Sequence, residues 1–346
     1  MAVPLSTVLD DERLLLRRDS LFYRWSCAEA LELAHVGART DGVGWANTKM
    51  AEKKMHRKLR LAVCALLTLV ALIAKAETYT PPSTSAAVFS GMTLTGAPIA
   101  SDWRAAIAEC SATGTVGGQH VQGCGRWCDD QLRVNGKPNS KCTKPGQVLS
   151  KPNPIRNTVL LKLRDGTILF DAKMSLDTDG AGTLQGDQTR QPDTSLRYAD
   201  GKSLSAGKIP FIVIPSTLVT QAGIHLGDLA AVVSGSHIAY AVVGDGGPKY
   251  SLGEGSIKLH EELGHSVCTA TNPASGDCTK VRDIDLPAPV IYLVFPGSHR
   301  TLCAGSPMKS SDRLCPTMTP ANLADQIEAH GKTLFQQLKA SAGGGG

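Results

Sequence analysis

Among the residues equipped for chemistry, Asp245 and Glu254 stand out by type and by setting. Asp245 follows the apolar run 238–243, which reads as a buried strand ending at Gly244-Asp245-Gly246-Gly247-Pro248, a breaker cluster that must turn or bulge the chain. Glu254 lies between Gly253 and Gly255, just ahead of Ser256, whose hydroxyl suits the cap of a short helix over 257–263 closed by Gly264. One carboxylate at a strand end and one before a helix supply what hydrolysis of a glycosidic bond needs. One acid protonates the leaving oxygen, and a base or nucleophile acts beside it. Ordinary turn and helix-start carboxylates occupy the same kinds of position, so this pattern alone leaves both readings open.

Other motifs weigh less. Leu176-Asp177-Thr178-Asp179-Gly180 places two acids at alternate positions after a strand, but lacks the third acid and distal Glu of a calcium loop. It reads either as a turn held by Asp side chains or as an acidic patch facing substrate, with Asp193 close by in sequence. His260-Glu-Glu-Leu-Gly-His265 imitates a zinc-protease helix, yet its histidines are five residues apart rather than four and do not share a helix face; a solvated amphipathic helix is expected instead. The glycines of Gly201-Lys-Ser-Leu-Ser-Ala-Gly207-Lys208 are one residue too far apart for a phosphate loop, and no Gly-x-Ser-x-Gly elbow occurs.

The elements that must position these residues occupy only part of the 346-residue chain. Residues 55–60 are basic, 61–73 apolar and Ala74-Lys75-Ala76 small-x-small, the grammar of a secretory signal cleaved after Ala76. Thirteen apolar residues are short for a membrane span, so no stable membrane association is expected after cleavage. Residues 1–54 then read as an upstream extension, with the start of translation at Met50 or Met55. Removing 1–76 takes away 12 Lys/Arg and 8 Asp/Glu and lowers the net charge from +5 to about +1. Without a basic patch interleaved with aromatics, nucleic-acid binding is excluded from the expectations.

Eight cysteines remain, and an exported chain makes disulfides their natural use. The simplest pairs close short polar loops, Cys268 with Cys278 and Cys303 with Cys315, while Cys110, Cys124, Cys128 and Cys142 pair among themselves. A zinc site on those four lacks a second tight Cys pair. Residues 77–100 are rich in Thr, Ser and Pro and read as an exposed lead-in, and 101–156 as a Cys-rich loop lobe opened by a helix at Ser101-Asp102.

From 157 to 300 the pattern changes to short strands: a hairpin over 159–174, then 209–214, 229–233, 237–243 and 290–295. Residues 301–342 hold a polar loop and a helix with Leu323, Ile327, Leu334 and Leu338 at helical spacing. The expectation is a mainly β fold, a small β-barrel of double-psi type by analogy, with a few short helices and disulfide-stapled loops.

Taken together, Phe170-Asp-Ala-Lys-Met-Ser-Leu-Asp-Thr-Asp-Gly180, Asp193-Thr-Ser-Leu-Arg197, Ile209-Pro-Phe-Ile-Val-Ile-Pro215, the block from Gly244 to Ser256 and Val290-Ile-Tyr-Leu-Val-Phe-Pro296 resemble glycoside hydrolase family 75, the chitosanases. The resemblance spans about residues 157–298. It implies cleavage of β-1,4 glucosamine linkages of chitosan within the chain and with inversion, and it lays the acid and base on Glu254 and Asp245; with the signal segment, the expectation is a secreted monomer, extracellular or periplasmic. No cofactor is implied. Because chitosan is a polycation, Asp177, Asp179, Asp193 and Arg197 are the expected substrate-binding set, the acids holding ammonium groups. The competing readings are an enzyme acting on another polysaccharide, such as peptidoglycan, and a non-catalytic carbohydrate-binding protein. Few aromatics, 5% of residues, disfavour a binder that works by stacking. Exported protein is expected to begin at Glu77, which N-terminal sequencing of secreted material checks; recovery of residues 1–54 would overturn the signal assignment.

Overall fold

The computed structural model describes residues 76–113, 115–120, 159–182, 184, 191–247, 249–250, 252–282, 285–304 and 310–343, with four two-residue strand pieces between 127 and 148. Residues 1–75, on which the expected upstream extension and signal segment fall, and most of the expected loop lobe lie outside the described residues.

The alternation in 159–174 does form a hairpin, β3 (Leu160–Leu163) and β4 (Ile168–Asp177), turned where Asp165 accepts from the Thr167 backbone at 3.0 Å. Four further strands follow in sequence, β5 (Phe211–Pro215), β6 (Leu229–Ser234), β7 (His237–Gly247) and β8 (Glu254–Ser256). After the hairpin β9 (Cys268–Thr271) and β10 (Cys278–Val281), β11 (Leu286–Phe295) returns to the main sheet. In space the order is β4-β8-β5-β7-β6-β11, and β11 pairs back onto β4 from Ile168 with Val294 to Met174 with Leu286. The sheet therefore closes as a six-stranded barrel and has no free edge along that circuit. Two of its pairings are parallel, β4 with β8 and β5 with β7, a mixture compatible with the double-psi type.

Strand alternation sends side chains to two apolar clusters. Phe170, Met174, Val232 and Tyr292 belong to one, with Phe170 and Tyr292 stacked at 4.6 Å. Leu169, Val233, Ile291 and Leu293 belong to the other. This second cluster is covered by α5 (Leu323–Gly343), whose buried Leu323, Ile327, Phe335 and Leu338 recur at the helical period seen in the sequence. The helix starts three residues after the Thr319-Pro320 signal, because Asn322 turns back to accept from the Thr319 amide and hydroxyl.

Residues 77–100 correct the sequence reading. β1 (Glu77–Tyr79) and β2 (Leu94–Pro98) extend the sheet beyond β3, and Tyr79, Phe89 and Leu94 are buried. Their Thr, Ser and Pro neighbours mask three anchors, and Phe89 meets Phe335 of α5 edge to face at 6.3 Å. The helix opened by Ser101 runs to Thr113 as α1, burying Trp103, Ile107 and Cys110.

Two expected disulfides are present: Cys268 joins Cys278 across β9 and β10, and Cys303 joins Cys315. Cys110 is also disulfide-bonded; its grouping with Cys124, Cys128 and Cys142 falls on side chains outside the described residues. No helix among the described residues is long and apolar enough to cross a membrane.

Because Phe335 joins the lead-in to the barrel, Phe335→Ala is expected to cost about 3–5 kcal/mol. Calorimetry reads the loss, and limited proteolysis of the variant should cut first between residues 80 and 93.

Candidate active site

The glycine cluster after residue 243 does not end its strand. β7 continues to Gly247 through an irregularity opposite β5: Val243 pairs with Ile212 and Asp245 with Val213, which leaves Gly244 as the extra residue. A side chain at 244 is impossible, since a Cβ there would stand 2.6 Å from the Phe211 Cβ. The bulge re-aims the residue that follows it. Asp245 is therefore a strand residue at a bulge, not the strand-end residue expected.

Its carboxylate is held by one oxygen. Oδ1 accepts from the Ser195 amide at 2.9 Å, from the Ser195 hydroxyl, and from the Gly246 amide at 2.7 Å. The Gly246 amide also lies 3.1 Å from the Ser195 hydroxyl oxygen. Among the described residues no donor approaches Oδ2, so the anchored oxygen sets the direction of the free one. Ser195 was not singled out by the sequence. Its signal was its place inside the Asp193 to Arg197 block, 50 residues from the aspartate it holds.

Glu254 opens β8, a strand of only three residues wedged between β4 and β5. Gly253 adopts φ +88°, and a Cβ there would lie 2.0 Å from the Lys173 carbonyl oxygen. That contact leaves room for glycine alone, and the Gly253 carbonyl accepts from the Ser175 amide at 2.9 Å. Beyond it, buried Ser256 caps α3 (Ile257–Glu262) as expected: its hydroxyl accepts from Leu259 at 3.2 Å, accepts from Phe211 at 3.0 Å and donates to the Ile209 carbonyl at 2.8 Å. One side chain thus binds β5 to the turn that carries Glu254.

Parallel pairing sets Ser175 beside Glu254 and Asp177 beside Ser256, which draws the acids together. Carboxylate oxygens of Asp177, Asp179 and Asp245 lie within 4.8 Å of one another. Asp177 is buried, and its carboxyl is pushed well above the usual range, chiefly by burial and then by the charges of Glu254, Asp179 and Asp245. All four acids therefore act on one locus. Burial and the Glu254 charge also raise the phenol of fully buried Tyr292, whose hydroxyl donates to the Lys173 carbonyl at 3.1 Å.

Asp193 and Arg197 stand differently. They form an ion pair at 3.1 Å, and Asp193 also accepts from the Ser203 hydroxyl at 2.8 Å, which with Arg197 holds its carboxyl low. The pair flanks Ser195, so its visible work is to fix the loop that positions Asp245. The helix carrying His260 and Glu261 departs from the solvated expectation: His260 is fully buried, its Nε2 lies 3.2 Å from the Ser175 carbonyl, and burial lowers its pKa to about 4. His265 stacks obliquely on it at 5.4 Å, and among the described residues no third ligand joins them. Two other groups have ligand spacing, the Asp177, Asp179, Asp245 cluster and a trio of His225, Asp228 and His299.

Residues 174–337 match the family model of fungal chitosanases of glycosyl hydrolase group 75. The match includes every acid of the cluster together with both loops closed by Cys268–Cys278 and Cys303–Cys315, and it ends within α5. No curated protein matches the chain.

The raised Asp177 gives a stability prediction. The folded state keeps this proton to higher pH than the unfolded chain does, so the group's contribution is full below about pH 4 and is lost as pH rises toward the folded value. Asp177→Asn is neutral at every pH and removes that loss. Its Tm relative to the parent protein should stay constant below about pH 4 and increase as pH rises above it; parallel Tm profiles would refute the assignment.

Proposed function

We propose that this chain, whose residues 174–337 belong to the fungal chitosanase family of glycosyl hydrolase group 75, is a secreted, endo-acting enzyme that cleaves β-1,4 glucosamine linkages with inversion. Glu254 is the general acid and Asp245 the general base. The observation that carries the reading is the convergence of the acids: Glu254 acts on the same buried Asp177 carboxyl that lies beside Asp245, and Asp245 presents one unanchored oxygen.

In this reading Glu254 gives its proton to the glycosidic oxygen as the bond to the anomeric carbon breaks. Asp245 Oδ2 takes a proton from the water that attacks that carbon from the opposite face. The water needs carboxyl groups about 6.5–9.5 Å apart in such an enzyme. The cluster adds a second advantage on a polycationic substrate, because ammonium groups are drawn to a locus of concentrated negative charge. Asp179, less buried than Asp177, is the acid best placed to meet an ammonium group by a charge-assisted hydrogen bond. Asp177 accepts from the Asp179 amide at 2.7 Å and so fixes the backbone that carries it, and Asp193 and Arg197 complete the proposed substrate-binding set. The two cystines of the matched region and its family support an extracellular setting.

A reducing-sugar assay on chitosan, chitin and peptidoglycan tests the substrate. Chitosan should be the one cleaved, and turnover of peptidoglycan alone or of none would reject the reading. Glu254→Gln and Asp245→Asn are each expected to lower kcat by about 100-fold or more while the protein stays folded. Asp179→Asn should instead raise KM more than it lowers kcat. Ser195→Ala removes a hydrogen bond to a charged acceptor, of the order of 1.5–3 kcal/mol, so kcat should fall roughly 10- to 100-fold with little change in KM. A matching fall in folded fraction by circular dichroism would show Ser195 to be merely structural.

A further inference from the structure

Between α2 (Ser216–Ala222) and β6 the chain builds a cluster that the carbohydrate chemistry does not use. Asp228 is fully buried, and its two oxygens accept backbone amides from two separate segments: His225 at 2.8 Å on Oδ2 and His299 at 3.0 Å on Oδ1. The rings of the same two histidines face the same carboxylate. His299 Nδ1 lies 2.7 Å from Oδ1 and His225 Nδ1 lies 3.6 Å from Oδ2, with ring centroids 5.1 Å apart. One ligating atom from each residue falls within 4.8 Å of the other two.

The geometry points to a divalent transition-metal site, of zinc type, formed by His225, Asp228 and His299. Two imidazoles with one carboxylate select zinc and its neighbours over calcium and magnesium, which prefer all-oxygen shells. The 3.6 Å from Asp228 Oδ2 to His225 Nδ1 is near the edge, about 3.4 Å, of a tetrahedron with bonds of about 2.1 Å, whereas the 2.7 Å from Oδ1 to His299 Nδ1 is a hydrogen bond that an ion would replace. Asp228 is a rigid anchor, held before any ion arrives. The His225 side chain is 56% exposed and can swing inward, so an ion has an entry path and a fourth position open to water. The site shares no residue with the acid cluster. It does reach β7, because the Asp228 carbonyl accepts from the Val243 amide at 2.7 Å, two residues before Asp245. A bound ion cross-links the loop before β6 and α4 (His299–Leu302), and so braces the strand that carries the bulge.

The test uses the purified full chain, stripped with chelator, and Cu²⁺ as a spectroscopic probe beside Zn²⁺. Electron paramagnetic resonance of the one-equivalent Cu²⁺ complex should show hyperfine coupling to two imidazole nitrogens. Zn²⁺ should raise Tm. His225→Ala, at an exposed side chain whose backbone contact survives, should bind Cu²⁺ more weakly, show one imidazole nitrogen fewer in the spectrum and lose the Zn²⁺-dependent rise in Tm. His237→Ala, an exposed histidine elsewhere, should leave all three unchanged. An unaltered spectrum and Tm response in His225→Ala would overturn the site, as would Cu²⁺ bound through oxygen alone or a failure of Zn²⁺ to bind; the trio would then be a hydrogen-bonded loop clamp.

Discussion

Like charges resist being brought together, and this structure is organised by the backbone pairing that brings them together regardless. β4 carries the burden on both edges. One edge closes the barrel through β11, and the other accepts the three-residue strand β8 in parallel. Short parallel pairing is weak by itself, so β8 depends on what flanks it: the Gly253 backbone fitted under Lys173 and the Ser256 hydroxyl shared among β5, the Ile209 carbonyl and α3. With the pairing of Gly255 to Ile212 of β5, these supports hold the turn that carries Glu254. The repulsion that remains falls on Asp177, whose carboxyl is raised well above the usual range by burial and by the charges of its neighbours.

This division of labour separates orientation from charge. Asp245 is oriented by neutral donors, two of them backbone amides, which hold it without neutralising it. The Asp193–Arg197 ion pair sits one step back and secures the loop that supplies the Ser195 donors. A cation placed directly against Asp245 would compete with the base role proposed for it. The structure instead pairs Arg197 with Asp193.

Much of this was legible in the chain. The hairpin at 159–174 showed itself by alternation, the cap at Ser256 by residue type, and both loop disulfides by proximity. What stayed hidden was set by contacts distant in sequence or by elements too short to have a period. β8 has three residues and no pattern. β11 begins four residues earlier than its apolar run because Pro287 and Pro289, which argue against a strand, fall where its pairing with β4 is interrupted between Ala172 and Met174. Residues 77–100 conceal three buried anchors among polar neighbours, and the strand that joins their hairpin to the sheet lies more than 60 residues further on. Asp245 and Glu254 could be chosen from residue type and glycine context, whereas Ser195 could only be found by seeing what it touches.

The contact between the first and last described segments has a bearing on how the chain acquires its structure. β1 pairs with β2, the Thr93 amide next to β2 donates to the Ala342 carbonyl at the end of α5, and Phe89 rests on Phe335. Segment 77–98 therefore cannot complete its packing until the last helix has been synthesised. A ribosome delivering this chain releases the outer strands first and their cover last, and the intervening barrel must close across large sequence separations. Until then Tyr79, Phe89 and Leu94 lack α5, and the nascent chain shows chaperones an apolar edge that the finished protein conceals.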